Sequence, residues 1–154
     1  MTVIERTVKT FSKISDIDDI IVVVRESDIP LYEKVFSGYD ISYCIGGSTR
    51  QESVSNAVET IDSCDMIIIH DGARPLVTEK EILNTLRSAE KYGAAATGVP
   101  VKDTIKVIDD NNKIVDTPKR SSLIAIQTPQ IFTFNKYVEA MNCAKTQGKD
   151  FTDD

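Results

Sequence analysis

Two hydrophobic periods alternate along the chain. Ile4, Val8, Phe11 and Ile14 recur at helical spacing, which predicts an amphipathic helix over residues 2–14. Ile20 to Val24 is an unbroken β-branched run, the composition of a strand covered on both faces. A weaker helix is expected after Pro30, with Leu31, Val35 and Phe36 on one side. Ile41 to Ile45 alternates as a second strand and stops at Gly46-Gly47, after which Val54, Ala57, Val58 and Ile61 restore the helical period. Met66 to Ile69 reads as a third buried strand. Thr78-Glu79-Lys80-Glu81 has the spacing of a capping box, ahead of a stripe of Ile82, Leu83, Leu86 and Ala89. Gly93 closes that helix, and Ala94 to Val99 is a fourth strand.

Strands alternating with helices of this length predict βαβ units, hence an α/β fold with a mostly parallel, Rossmann-like sheet and helices on both faces. No Pro-, Gly- or Ser-rich linker divides the chain and no repeat is visible, so residues 1–154 are expected to form a single domain. Residues 104–128 break the rhythm, with a β-arm expected over about 104–122. Thr104 to Ile108, the polar Asp109-Asp110-Asn111-Asn112, and Lys113 to Val115 predict a β-hairpin. Such an insertion is either a surface excursion or an arm for a partner subunit, since a lone hairpin is marginally stable. Leu123 to Ile126 returns to the sheet, and Phe134 to Ala144 closes with a helix that carries Tyr137, Val138 and Met141 on one side.

With 24 acidic and 18 basic residues the net charge is −6, which argues against a broad nucleic-acid-binding face. Nucleotide chemistry, needing only a local basic pocket, stays open. The longest aliphatic run is far too short to span a bilayer, and no secretory signal follows Met1. The three cysteines, Cys44, Cys64 and Cys143, show no metal-like spacing, which together predicts a reduced, cytoplasmic protein.

Ligands of open parallel sheets bind beyond the carboxyl ends of the strands. Polar residues cluster at such ends in this chain. In Gly46-Gly47-Ser48-Thr49-Arg50-Gln51-Glu52-Ser53 the glycines permit close backbone approach and the helix start offers N–H groups, although an ordinary tight turn has the same look. His70-Asp71-Gly72-Ala73-Arg74-Pro75 puts a carboxylate at the lip of the crevice, where Mg²⁺ can be shared with substrate phosphates. Asp71 could equally be a turn residue, Arg74 could brace the loop or meet an anion, and His70 is read as a packed strand-end residue with no chemical task. The third cluster is dispersed: Lys102-Asp103-Thr104, Lys119-Arg120 and Gln127-Thr128-Pro129-Gln130 put basic and hydroxyl groups around the hairpin, as suits a small phosphorylated substrate. No G-x-G-x-x-G follows the first strand, which disfavours a dinucleotide-dependent dehydrogenase.

These segments, GGSTRQESV (46–54), IIIHDGARPLV (67–77), GVPVKDTIK (98–106), KRSSLIAIQTPQIF (119–132) and FTDD (151–154), resemble the 2-C-methyl-D-erythritol 4-phosphate cytidylyltransferase family of non-mevalonate isoprenoid biosynthesis, in order and spacing. The resemblance implies a nucleotidyltransferase fold, dependence on Mg²⁺, and a homodimer whose β-arm reaches over the neighbouring subunit. It implies transfer of CMP from CTP to the sugar-alcohol phosphate with release of pyrophosphate. By position, Gly46, Gly47, Ser48 and Ser53 match the cytidine-recognition segment and Asp71 the metal-binding aspartate. Thr104, Arg120, Thr128 and Thr152 match the sugar-phosphate pocket, where Arg120 would orient the attacking phosphate. Family members also carry an N-terminal strand with a glycine-rich, triphosphate-embracing loop and a late Asp-Asn-x-Lys strand. Residues 1–154 match the stretch between these, so they are expected to be truncated at both ends and to turn over little by themselves. A ribitol-5-phosphate cytidylyltransferase and a non-catalytic remnant that folds and dimerises are the competing expectations.

Overall fold

Three of the helices begin on a threonine whose hydroxyl takes the N–H of the residue three positions on. In the computed structural model, which describes residues 1–148, Thr2 and Glu5 form a capping box that starts α1 (Val3–Phe11). The helix ends earlier than its apolar spacing predicts. Ser12 caps it, and a turn bond from the Ile14 N–H to the Phe11 carbonyl then carries Ile14 into the core.

Strand β1 (Ile21–Val24) follows, and Pro30 lies in the first turn of α2 (Ile29–Val35). Leu31 is 60% exposed, contrary to the face assigned to it. The inward stripe is centred one residue further round, on Tyr32 and Phe36, whose rings stack at 6.1 Å. Strand β2 (Ser42–Ile45) pairs with β1 in parallel, Ile21 opposite Ser42 and Val24 opposite Ile45. Thr49 caps α3 (Arg50–Val58), which leads to β3 (Met66–Ile69). The predicted capping box of Thr78 and Glu81 starts α4 (Glu79–Tyr92), and Gly93, at φ 87°, ends it in the left-handed region before β4 (Ala94–Pro100).

The hairpin forms where expected, but its strands are short, β5 (Val107–Ile108) and β6 (Ile114–Asp116), with the intervening turn held by Asp109. The return to the sheet is longer than predicted: β7 (Ile124–Thr133) continues through Gln127-Thr128-Pro129-Gln130 and ends at α5 (Phe134–Gln147). It lies between β3 and β4 and runs antiparallel to both. The α/β class therefore stands, with the parallel ladder seen in β1–β2 and an antiparallel direction brought in by β7.

Among the described residues no ladder joins β1 to β3. Helix α1 spans the two sheets instead. Val8 packs with Val22, Val24 and Phe36, whereas Phe11 and Ile14 pack with Ile82 and Ile68. On the second sheet Val58, Ile67, Ile69 and Phe134 form one cluster and Leu86, Ala89 and Ile131 another, so α3 and α5 cover one part of β3 while α4 covers β7. Thr78→Ala removes a cap that serves both backbone and Glu81 and should cost about 1 kcal/mol, read as a fall in thermal midpoint of roughly 2–4 °C.

Candidate active site

The glycine pair sits at the end of β2, where the Gly46 N–H bonds to the Val24 carbonyl at 2.9 Å. Helix α3 then folds its first turn back over the loop. The Ser53 hydroxyl accepts the Gly47 N–H at 3.0 Å and donates to the Thr49 carbonyl at 2.8 Å. Glu52 comes so close that a Cβ on Gly47 would stand 2.2 Å from its Cγ, so a larger residue there would have to displace the Glu52 side chain. Gly46, Gly47, Ser48 and Ser53 are thereby brought together as one ordered loop.

Asp71 follows β3 with only His70 between them. Its N–H donates to the Thr128 hydroxyl at 3.1 Å, so the crevice lip is tied to the middle of β7. The Arg74 Nε donates to its Oδ2 at 2.8 Å, and the Arg50 Nε lies 3.8 Å from its Oδ1. Arg50 is on the first turn of α3, so this ion pair connects the carboxylate to the glycine segment. The Asp71 side chain is 36% exposed, leaving lone pairs open to a ligand. His70 has the structural place expected of it: its ring lies 4.9 Å from that of Phe11 and its Nε2 is 3.2 Å from the Arg74 carbonyl. Burial pushes its imidazole pKa below the ordinary value.

The dispersed third cluster divides. Thr128 and Gln130 are buried in β7 at the Asp71 end, beside a cleft of about 360 Å³ lined by Arg74, Leu76, Val77, Glu81, Thr97 and Thr128. The β4–β7 register shifts between Ala96 and Gly98, and the irregularity accommodates Pro129 in an otherwise central strand. Lys102 and Arg120 lie at the root of the hairpin instead, where the Arg120 Nη1 donates to the Lys102 carbonyl at 2.9 Å, and Thr104 is exposed close by in sequence. Thr128 and Ile124 lie four residues apart on β7, roughly 13 Å at the usual strand rise. Arg120 precedes the start of β7, at the other end of that span from the Thr128 that holds the Asp71 backbone, and no contact joins Arg120 to Asp71 among the described residues. Thr152 and the FTDD segment lie outside the described residues.

The sequence alone assigns no role to Arg50 or Glu52. Thr49-Arg50-Gln51-Glu52 carries the Thr-x-x-Glu spacing that could have singled out Glu52. The Arg50–Asp71 pair is a tertiary contact with no local signal. Among the described residues no group of three or more His, Cys, Asp or Glu side chains converges on a metal position. Mg²⁺ does not need one when a single carboxylate shares it with substrate phosphates, and the partly open Asp71 fits that mode.

A glycine loop at a helix start, a strand-end carboxylate paired with that helix and a cleft beside the carboxylate's Arg74 and Thr128 partners, on a Rossmann-like α/β frame, have the make-up of a nucleotidyltransferase. The model of the family "IspD: 2-C-methyl-D-erythritol 4-phosphate cytidylyltransferase" matches residues 1–154. A 2-C-methyl-D-erythritol 4-phosphate cytidylyltransferase of Clostridium perfringens is 42% identical over 156 residues, covering 99% of this chain and 69% of that protein. One from Caldanaerobacter subterraneus is 44% identical over 154 residues, covering 96% and 68%. The crystal structure of 4-diphosphocytidyl-2C-methyl-D-erythritol synthase from Anaerococcus prevotii superposes with a TM-score of 0.93 at 31% identity, covering 99% of this chain and 69% of that one. The chain belongs to the 2-C-methyl-D-erythritol 4-phosphate cytidylyltransferase family.

Proposed function

We propose that the protein transfers CMP from CTP to 2-C-methyl-D-erythritol 4-phosphate, releasing pyrophosphate, as a cytoplasmic, Mg²⁺-dependent homodimer. Family membership supports the reaction, and the names of the relatives favour methylerythritol phosphate over ribitol phosphate. The observation that carries the site is the Arg50–Asp71 pair, which joins the glycine segment to the strand-end carboxylate.

The nucleophile is a phosphate monoester, already ionised near neutral pH, so no general base is needed. One of its oxygens bonds to the α-phosphorus of CTP while the bond to the bridging oxygen of the β-phosphate breaks, and pyrophosphate leaves with that electron pair. The protein's part is alignment, which can supply roughly 7–11 kcal/mol, and fixed charge. Gly46, Gly47, Ser48 and Ser53 hold the cytidine. Asp71 would hold Mg²⁺, whose charge would offset that of the phosphates. Thr128 fixes the Asp71 backbone and lines the sugar-phosphate pocket together with Thr104, Arg120 and Thr152, and Arg120 orients the attacking phosphate.

We read residues 1–154 as one domain, with residues 104–122 as the arm that crosses to a partner. Its aliphatic side chains support this. Val107 is 43% exposed, Ile108 53%, Ile114 63% and Val115 60%, and at its root Ile124 is 56% exposed. An apolar surface of this kind calls for a partner. No helix among the described residues is long and apolar enough to cross a membrane.

The test is a pyrophosphate-release assay on a polypeptide that carries residues 1–154 between the family's glycine-rich loop and its Asp-Asn-x-Lys strand. Turnover is expected with CTP, Mg²⁺ and methylerythritol phosphate and is expected to be much slower with ribitol 5-phosphate. Faster turnover with ribitol 5-phosphate overturns the substrate, and no turnover with either overturns the reaction.

A further inference from the structure

Ser48 has two hydrogen-bond donors, and both are taken by one oxygen. Glu52 Oε2 accepts the Ser48 N–H at 2.6 Å and the Ser48 hydroxyl at 2.5 Å. These bonds hold the Glu52 carboxyl below its ordinary pKa, so it is ionised and accepts only. A serine hydroxyl has a single proton. With that proton directed at Glu52, the exposed Ser48 Oγ presents lone pairs alone.

Glu52 does more here than complete a helix cap. In α1 and α4 the glutamate at the same position returns to the N–H of the capping threonine itself. In α3 the Thr49 hydroxyl still caps the Glu52 N–H, but the carboxylate reaches one residue further, to Ser48. Gly47 makes that reach possible, because a Cβ there would collide with the Cβ, Cγ and Cδ of Glu52 at 2.2–2.5 Å.

We infer that Glu52 is a positioning residue that sets base specificity: by consuming both donors of Ser48 it leaves that residue able only to accept, which selects a pyrimidine bearing a 4-amino group over one bearing a 4-carbonyl. This rests on the reading of Gly46, Gly47, Ser48 and Ser53 as the cytidine segment and deepens it. A 4-amino group donates to the Ser48 oxygen. A 4-carbonyl meets it lone pair against lone pair, and turning the hydroxyl outward to donate would forfeit its bond to the charged Glu52. Specificity then comes from a built-in mismatch with uracil as well as a match with cytosine.

The experiment is calorimetric titration with CTP and with UTP of the polypeptide that carries residues 1–154 between the family's glycine-rich loop and its Asp-Asn-x-Lys strand, unchanged and as Glu52→Ala, Glu52→Gln, Ser48→Ala and the double Ser48→Ala/Glu52→Ala variant, each checked for folding by circular dichroism. The unchanged chain should prefer CTP. Glu52→Ala should reduce the CTP-to-UTP preference roughly tenfold, the worth of about one hydrogen bond. Glu52→Gln, whose amide oxygen can accept both Ser48 bonds, should keep most of the preference. Ser48→Ala should lose as much as Glu52→Ala, and the double variant no more than either. An undiminished preference in Glu52→Ala overturns the inference alone, as does additivity in the double variant or equal loss in Glu52→Gln and Glu52→Ala. An unchanged chain with no preference for CTP overturns the cytidine reading and this inference with it.

Discussion

Asp71→Asn should lower the turnover number by about 100- to 1000-fold, the worth of one preorganised electrostatic group, while the fold survives. The amide keeps the shape of the carboxylate and one oxygen for the Arg74 Nε, and the backbone bond to Thr128 does not involve the side chain. What is lost is charge. The carboxylate faces Arg74 at 2.8 Å and Arg50 at 3.8 Å, both partly exposed. Pairs of that kind contribute about 0–1 kcal/mol each, so the thermal midpoint should move little. A neutral amide between two guanidinium groups is a poor ligand for a hard divalent cation, so the concentration of Mg²⁺ that half-saturates turnover should rise. The measurement is pyrophosphate release against Mg²⁺ concentration, with thermal unfolding alongside. Turnover within about twofold of the unchanged enzyme would reduce Asp71 to a loop brace.

Much of this site was legible because its parts sit on elements with strong local signals. β1 and β3 are buried runs that only a strand in a covered sheet explains. The Thr78–Glu81 capping box and Gly93 bracket α4 in the sequence as they do in space. Asp71 was placed at a crevice lip simply because a carboxylate follows Met66 to Ile69. β7 was only half legible, for a physical reason. Gln127, Thr128 and Gln130 are polar, and Pro129 forbids a ladder donor, so the segment reads as a loop. Yet it is the middle strand of its sheet, with Thr128 8% exposed and Gln130 2%. One of these polar residues, Thr128, takes the Asp71 N–H. Strand direction leaves no trace in hydrophobic period, so the antiparallel course of β7 could not be read. Nor could the division of the third cluster, since Thr128 and Arg120 are near in sequence and the strand between them carries them apart.

That separation gives the arm a test that simple mutagenesis does not. Arg120→Met alone should be nearly as damaging as Asp71→Asn if, as proposed, Arg120 is the cation that orients the attacking phosphate, and either variant by itself should then retain about 1% of activity or less. Mixing the two should restore activity if each site takes Asp71 from one chain and Arg120 from the other. When subunits exchange freely in an equal mixture, about half of the dimers are mixed, and each mixed dimer holds one intact site and one doubly damaged site. Roughly a quarter of all sites are then whole, a gain well above tenfold over either parent. If each chain serves its own site, every site in the mixed dimer still lacks one group, and the mixture shows only the average of its parents. The arm's exposed Val107, Ile108, Ile114 and Val115 make the exchange depend on the interface as well as on the active site. Changing Ile114 and Val115 together to aspartate should therefore abolish the gain on mixing and shift the protein toward monomer in sedimentation, with residues 1–100 and the Asp71 crevice untouched. A full gain in a mixture of monomeric chains would break the link between the arm and the shared site.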